Sequence, residues 1–93
     1  MEKQISDMYF AATLLAYGIE LKEVDASNPR KQEFIFIDRP MKVYKKIEYG
    51  VTEMEIIDID QLHMMFTSKT LYVSAAGFAD ALRSIKSLIH ANK

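Results

Sequence analysis

Residues 70–89, TLYVSAAGFADALRSIKSLI, carry a strand, a cap and an amphipathic helix in immediate succession. Leu71, Tyr72 and Val73 favour an extended backbone. Ser74 supplies an oxygen that can accept from the first free N–H groups of a helix, and beyond it Phe78, Ala81, Leu82, Ile85, Leu88 and Ile89 recur at helical spacing. One face of this helix is therefore core. Asp80, Arg83, Ser84, Lys86, Ser87 and His90 fall on the opposite face, with Asp80 one turn ahead of Arg83 in position for a surface ion pair. A strand feeding a helix of this kind is scaffold, and the rest of the chain must supply what packs against it.

Immediately upstream, Ser68 and Lys69 make the turn into the strand. Before them Asp58 and Gln61 stand at capping-box spacing, and Ile59, Leu62, Met65 and Phe66 form a stripe, which predicts a short helix ending near Thr67. Residues 39–57 have two readings. Asp38 as cap, Pro40 at the first helical position and Val43, Tyr44 and Ile47 at helical spacing describe a helix that stops at Gly50. Met41, Val43, Ile47 and Tyr49 also fit a period of two, so that 51–57 would pair back across Gly50 as a hairpin. The capping signals favour the helix.

Further upstream, QEFIFID at 32–38 is apolar on both faces and predicts a central strand, while IELKEVD at 19–25 alternates and then breaks. Ala26, Ser27, Asn28 and Pro29 between them are turn formers, giving an antiparallel hairpin with Arg30 and Lys31 exposed near its tip. Ser6 as cap, Asp7 in the first turn and Gly18 after Tyr17 bound a helix over 7–17. Its apolar residues are spread around the circumference: Met8, Ala11, Ala12 and Leu15 cover one side, and Phe10, Leu14 and Tyr17 another. Such a helix is either sandwiched within one chain or paired with a second subunit, and in the second case Phe10, Leu14 and Tyr17 are the dimer contacts. The expected architecture is α+β, one domain over 1–93 with 39–57 as an inserted segment. Its order is α-β-β-(α)-α-β-α around a small antiparallel sheet of about three strands.

The bulk properties narrow the function classes. A chain of 93 residues with 49% apolar and 27% charged side chains can build one core and is not of disordered composition. A formal charge of −1 gives no global field to hold polyanions, so any nucleic-acid contact would rest on a local patch. The absence of cysteine removes disulfides, thiolate metal sites and thiol nucleophiles, which favours a cytoplasmic setting. The segment MEKQISDMYF has no signal-peptide pattern, and the apolar run from Met8 to Tyr17 is far shorter than the ~20 residues of a spanning helix.

Two blocks, SDMYFAATLLAYGIELKEVDASNPRKQEFIFID and LYVSAAGFADALRSIKSLI, together resemble a small family that carries only a domain-of-unknown-function label and occurs in bacteria, archaea and their viruses. The resemblance lies in Ser6-Asp7 with Tyr9, Gly18, the Asn28-Pro29-Arg30 turn, Phe34-Ile35-Phe36, and Val73, Phe78, Leu82, Arg83, Lys86 and Leu88. It covers over half the chain. The sequence departs from the family pattern at 39–57, which looks like an insertion, and at Ser68-Lys69, where the family tends to have Asn-Gly. The resemblance implies a compact α+β domain often encoded by mobile elements, and it brings no catalytic residues.

Chemistry-bearing residues are sparse. Asp58, Asp60 and His63 are the one cluster of metal-ligand types, but helix capping accounts for the aspartates and a third firm ligand is missing, so no metal, cofactor or catalytic residue is assigned. Gly18, Gly50 and Gly77 are too far apart for a phosphate loop, and Ser74 and Ser84 have no triad partners in sequence. Met41, Met54, Met64 and Met65 with Tyr49 read as core filler or as an adaptable protein-binding surface. Arg30, Lys31, Lys42, Lys45, Lys46, Lys69, Arg83 and Lys86 are candidate partner contacts. Tyr44, Tyr49 and Tyr72 are available to stack on bases, while interleaved glutamates lower the field. The sequence thus leads to a non-enzymatic, dimeric interaction protein of phage or mobile-element type. Its partner would be a host protein or nucleoprotein, and an inhibitor of a host defence system fits that class. The alternative is a small single-stranded nucleic-acid-binding protein.

Overall fold

The computed structural model describes residues 1–28 and 30–91. Among the described residues the fold is α+β, with three helices and two antiparallel sheets of three strands each. In chain order the elements are β1 (Glu2–Ile5), α1 (Met8–Ala16), β2 (Leu21–Asp25), β3 (Glu33–Ile37), β4 (Met41–Ile47), β5 (Gly50–Ile56), α2 (Ile59–Thr67), β6 (Leu71–Tyr72) and α3 (Ala75–Ala91). The first sheet runs β1-β3-β2 and the second β5-β4-β6. Among the described residues, no helix is long and apolar enough to cross a membrane.

β3 is central, as its two-faced apolar composition implies: Phe34, Ile35 and Phe36 are all buried. β2 pairs with it as the expected hairpin, with an irregularity of register between Leu21 and Glu23 where the alternation of the sequence breaks. The turn is held by its Asx residues, since Asp25 Oδ1 accepts from the Ser27 N–H and Asn28 Oδ1 from the Arg30 N–H. Pro29, part of the expected turn, lies outside the described residues. β1, on the other side of β3, has no counterpart in the sequence reading. Of its four residues only Ile5 is buried, so it carries no hydrophobic period to read.

α1 is capped by Asp7 rather than Ser6: its carboxylate accepts from the N–H groups of Tyr9 (2.8 Å) and Phe10 (3.3 Å). The helix is buried on all sides at its centre, where Phe10, Ala11, Ala12, Thr13 and Leu14 are enclosed. Thr13 satisfies its hydroxyl by donating to the Tyr9 carbonyl at 3.0 Å. Phe10 packs on α2, with ring centroids 4.8 Å from His63 and 5.1 Å from Phe66, while α3 lies along α1. This corrects two of the expected dimer contacts and fits the reading of a helix sandwiched within one chain: Phe10 (1% exposed) and Leu14 (0%) are interior residues, and α2 and α3 cover the apolar excess of the helix.

Residues 39–57 are the second correction. They form no helix but an uninterrupted hairpin, with seven consecutive pairs from Met41↔Ile56 to Ile47↔Gly50. The reason is periodicity over the whole segment. Met41 and Val43 face Ile56 and Met54 on one side, Lys42 and Tyr44 face Glu55 and Glu53 on the other, and a helix would scatter these across its circumference. Gly50, expected as the stop of the favoured helix, instead follows the two-residue turn at φ +150°, a conformation open to glycine. The base is fastened where Asp38 Oδ1 accepts from the Ile59 N–H at 2.9 Å. The segment is not merely appended, because Val43 and Ile56 belong to the same hydrophobic cluster as Phe10, Phe36, Leu62 and Ile85.

α2 and α3 follow the sequence closely. Asp58 caps α2 by accepting from the Gln61 N–H at 2.9 Å, and Gln61 Oε1 reaches back to the Ile57 N–H at 2.8 Å. The turn out of α2 places Lys69 at φ 63°, with the Thr70 N–H bonded to the Met65 carbonyl and the Lys69 N–H to that of Phe66. Among the described residues Lys69 is the one non-glycine residue at positive φ, at the position where a helix C-terminus favours glycine. Ser74 Oγ accepts from the Gly77 N–H at 3.3 Å at the start of α3. Ala81 and Ile85 are its buried residues, with Phe78, Leu82 and Ile89 half-buried against the core. Met65 is buried and Met41 and Met54 half-buried, so of Met41, Met54, Met64 and Met65 three fill the core and Met64 faces solvent.

Candidate functional site

The second sheet has two unlike faces. Inward, Met41, Val43, Met54 and Ile56 close on the core, but Lys45, Ile47 and Thr52 on the same face are exposed, so the distal half of the hairpin lies open on both sides. Outward, the register sets Lys42 opposite Glu55, Tyr44 opposite Glu53 and Lys46 opposite Val51, and on the other flank Tyr44 opposite Tyr72 of β6. Tyr44 and Tyr72 remain 46% and 47% exposed, and Tyr49 at the hairpin tip 92%. With Ile47 and Val51, these make five of the exposed large apolar residues of the chain part of one sheet and its tip. The sheet is thereby marked as the molecule's sticky surface.

The tyrosine pair is held from behind. Tyr17, at the end of α1, donates its hydroxyl to the Tyr72 carbonyl and accepts from the Tyr44 N–H at 3.3 Å, so one side chain ties α1 to both strands. Burial pushes the Tyr17 phenol above the usual range. The expected role of Tyr17 at a dimer seam is thus replaced by an internal latch. Beside it lies a cavity of about 350 Å³ lined by Tyr17, Lys42, Tyr44, Tyr72, Ser74 and Gly77.

The charges on this sheet are graded. Lys42 Nζ stands 3.9 Å from Glu53. Lys45, Lys46 and Lys69 form no ion pair with the described residues. Lys45 lies opposite Leu71 and the Lys46 N–H bonds to the Thr70 carbonyl, which brings both to the side of the sheet where Lys69 sits. The β4–β6 side is therefore cationic, whereas Glu53 and Glu55 make the β5 side anionic.

The structure divides the basic residues expected to act together. Lys42, Tyr44, Lys45, Lys46 and Lys69 share the second sheet and its adjoining turn. Arg30 and Lys31 line a separate cavity with Met8, Phe34 and Ile89, and Ile89 is twelve residues, about 18 Å along α3, from Gly77 beside the tyrosines. Arg83 is engaged with Asp80 at 2.5 Å, and Lys86 is exposed on α3.

Asp58, Asp60 and His63 have separate occupations. Asp58 caps α2, Asp60 pairs with Lys3 at 2.6 Å, and His63 lies edge-on to Phe10. The Asp60 carboxylate, by its hydrogen bond, raises the Lys3 ammonium above its usual range. Among the described residues, no three His, Cys, Asp or Glu side chains are grouped to hold a metal ion.

Sequence reasoning missed the Tyr17 latch and the open flank of β5. No local signal marks the first, since it joins residues far apart in the chain. The second follows from the sheet order, which alternation of side chains along β5 does not reveal. Compared with known proteins, the chain matches no family model, no curated protein and no solved structure.

Proposed function

We propose that this chain is a non-enzymatic interaction protein that binds a macromolecule, most favourably another protein, through the outer face and tip of the β5-β4-β6 sheet. The observation that carries the reading is the exposure of Tyr44, Tyr72 and Val51 on one face of a small sheet and of Tyr49 at its tip, with opposite charges on the flanks. Tyrosine is enriched at the energetic centres of protein interfaces, and a rim of mixed charge suits a folded partner better than a polyanion. The resemblance to a family carried by viruses and mobile elements supports a host macromolecule as that partner. A dimer through α1 is not part of the proposal.

A second reading, single-stranded nucleic acid, is favoured by one feature: Lys46, on the same face as Tyr44 and Tyr72, and Lys69 in the adjoining turn stand without carboxylate partners among the described residues. Site-specific photocrosslinking in the cells that carry the protein separates the two. A photoreactive residue at Tyr49 is expected to yield a discrete protein adduct, identified by mass spectrometry, that Tyr44→Ala with Tyr72→Ala removes. The same residue at Ser87 on α3 is expected to yield none. Adducts with nucleic acid only, matched by oligonucleotide binding that falls steeply with salt, would replace the first reading by the second. Equal adducts from both positions would defeat both.

A further inference from the structure

Resting on the reading of the second sheet as the binding surface, we infer that its open β5 edge takes up an extended strand of the partner, with Lys or Arg at alternate positions. The backbone geometry supplies the dock. The Lys46 N–H bonds to Thr70 across the β4–β6 junction and the Tyr44 N–H points to Tyr17 on the same side. The even-numbered residues of β4 therefore address β6 and the odd-numbered ones address β5. By the register, Gly50, Thr52, Met54 and Ile56 answer them, which leaves the N–H and C=O groups of Val51, Glu53 and Glu55 directed away from the sheet. β5 is the outer strand, its pairing with β4 is free of bulges, and the one neighbouring amide that is occupied is Ile57, bonded to Gln61 Oε1. A row of this length with no protecting proline or bulge is a template for strand addition.

Charge selects the occupant. Residues of an incoming antiparallel strand that bond to Glu55, Glu53 and Val51 place their side chains directly opposite them on the outer face. Two cations followed by an apolar residue complement that row. The intervening positions lie over Met54 and Thr52. Lys42, shared between Glu53 and Glu55, leaves one carboxylate of the pair in excess. A second copy is the poorer occupant, because the register overlapping the whole edge sets Glu53 against Glu53 of the other chain.

The test is an amide-resolved NMR titration of the whole chain with the end-capped peptide TKVKTVT, whose lysines fall opposite Glu55 and Glu53 and whose second valine falls opposite Val51. Saturable shifts and slowed exchange are expected at Val51, Glu53 and Glu55. The peptide TEVETVT is expected to bind about tenfold more weakly, two opposite-charge pairs having become like-charge pairs. Glu53→Pro removes an outward N–H without touching the β4 ladder and is expected to abolish binding while the fold persists. No saturable binding at millimolar peptide, equal binding of both peptides, or an unaltered affinity in Glu53→Pro would each overturn the inference. Shifts confined to Tyr44 and Tyr72 would overturn the edge but leave the face standing. Peptide binding at the edge with no crosslink from Tyr49 would do the reverse. Concentration-dependent changes along β5 in the protein alone would make a second copy the occupant, against the inference.

Discussion

Phe10→Ala is expected to destabilise the chain by about 3–5 kcal/mol, the usual cost of truncating a fully enclosed aromatic. Phe10 is 1% exposed and its ring packs against both His63 and Phe66 of α2, so the loss removes an aromatic contact between α1 and that helix. A chain of this size has a total stability of about 5–14 kcal/mol, and the variant forfeits a large part of it. Urea unfolding followed by circular dichroism should show the midpoint falling sharply. Phe10→Glu, which buries a charge in the same place, should leave no folded monomer. Retention of secondary structure with a halved mass would instead restore α1 as the seam of a dimer.

Ile85→Ala is expected to cost about 2–5 kcal/mol. Ile85 is fully enclosed where α3 lies along α1, whereas Phe78, the larger residue on the same apolar stripe, is only half-buried beside an open cavity of about 310 Å³ lined by Thr13, Phe66, Lys69 and Leu71. Phe78→Ala should therefore fall short of the full penalty for an aromatic. Measured side by side in urea, Ile85→Ala is expected to lose more stability relative to the area its side chain buries. A greater absolute loss for Phe78→Ala together with a near-neutral Ile85→Ala would mean that α3 is rotated from the position described.

How much could be read from the residues depended on the range of the interactions. Asp58 with Gln61, Ser74 with Gly77 and the Asp80–Arg83 pair are local, and each appears where its spacing places it. β3 was equally legible, because a run of Phe34, Ile35 and Phe36 has only a central position to occupy. The hairpin was harder. Asp38 and Pro40 imitate a helix start, and Asp38 is indeed a capping residue in part, but the amide it receives is that of Ile59, across the base of the hairpin. The cap signal was genuine and its helix begins 21 residues on, at Ile59. β1 was hidden for a different reason: an edge strand with one buried residue needs no pattern of its own when β3 supplies the partner.

The same division applies to the surface. Tyr44 and Tyr72 were recognisable singly as residues that stack, yet their placement opposite one another depends on β6 pairing with β4 and on Tyr17 reaching both backbones. The basic residues failed as a group because sequence proximity to turns says nothing about which end of α3 each turn occupies. For the dimer expectation, the apolar excess on α1 was real. Of the two readings it allowed, a sandwiched helix or a dimer seam, the sequence alone could not choose, because which helices cover α1 is set by contacts far apart in the chain.

All of this turns on residues 39–57 being a hairpin, since without it there is no paired tyrosine face and no β5 edge. The most direct test is the pattern of Hα–Hα nuclear Overhauser effects in the free protein. Strong cross-peaks are expected between Lys42 and Glu55, Tyr44 and Glu53, and Lys46 and Val51, the pairs whose Cα atoms approach most closely in this register. Their absence, with Hα to amide contacts three residues apart over 41–49, would show a helix in this segment and contradict the hairpin and the surface built on it.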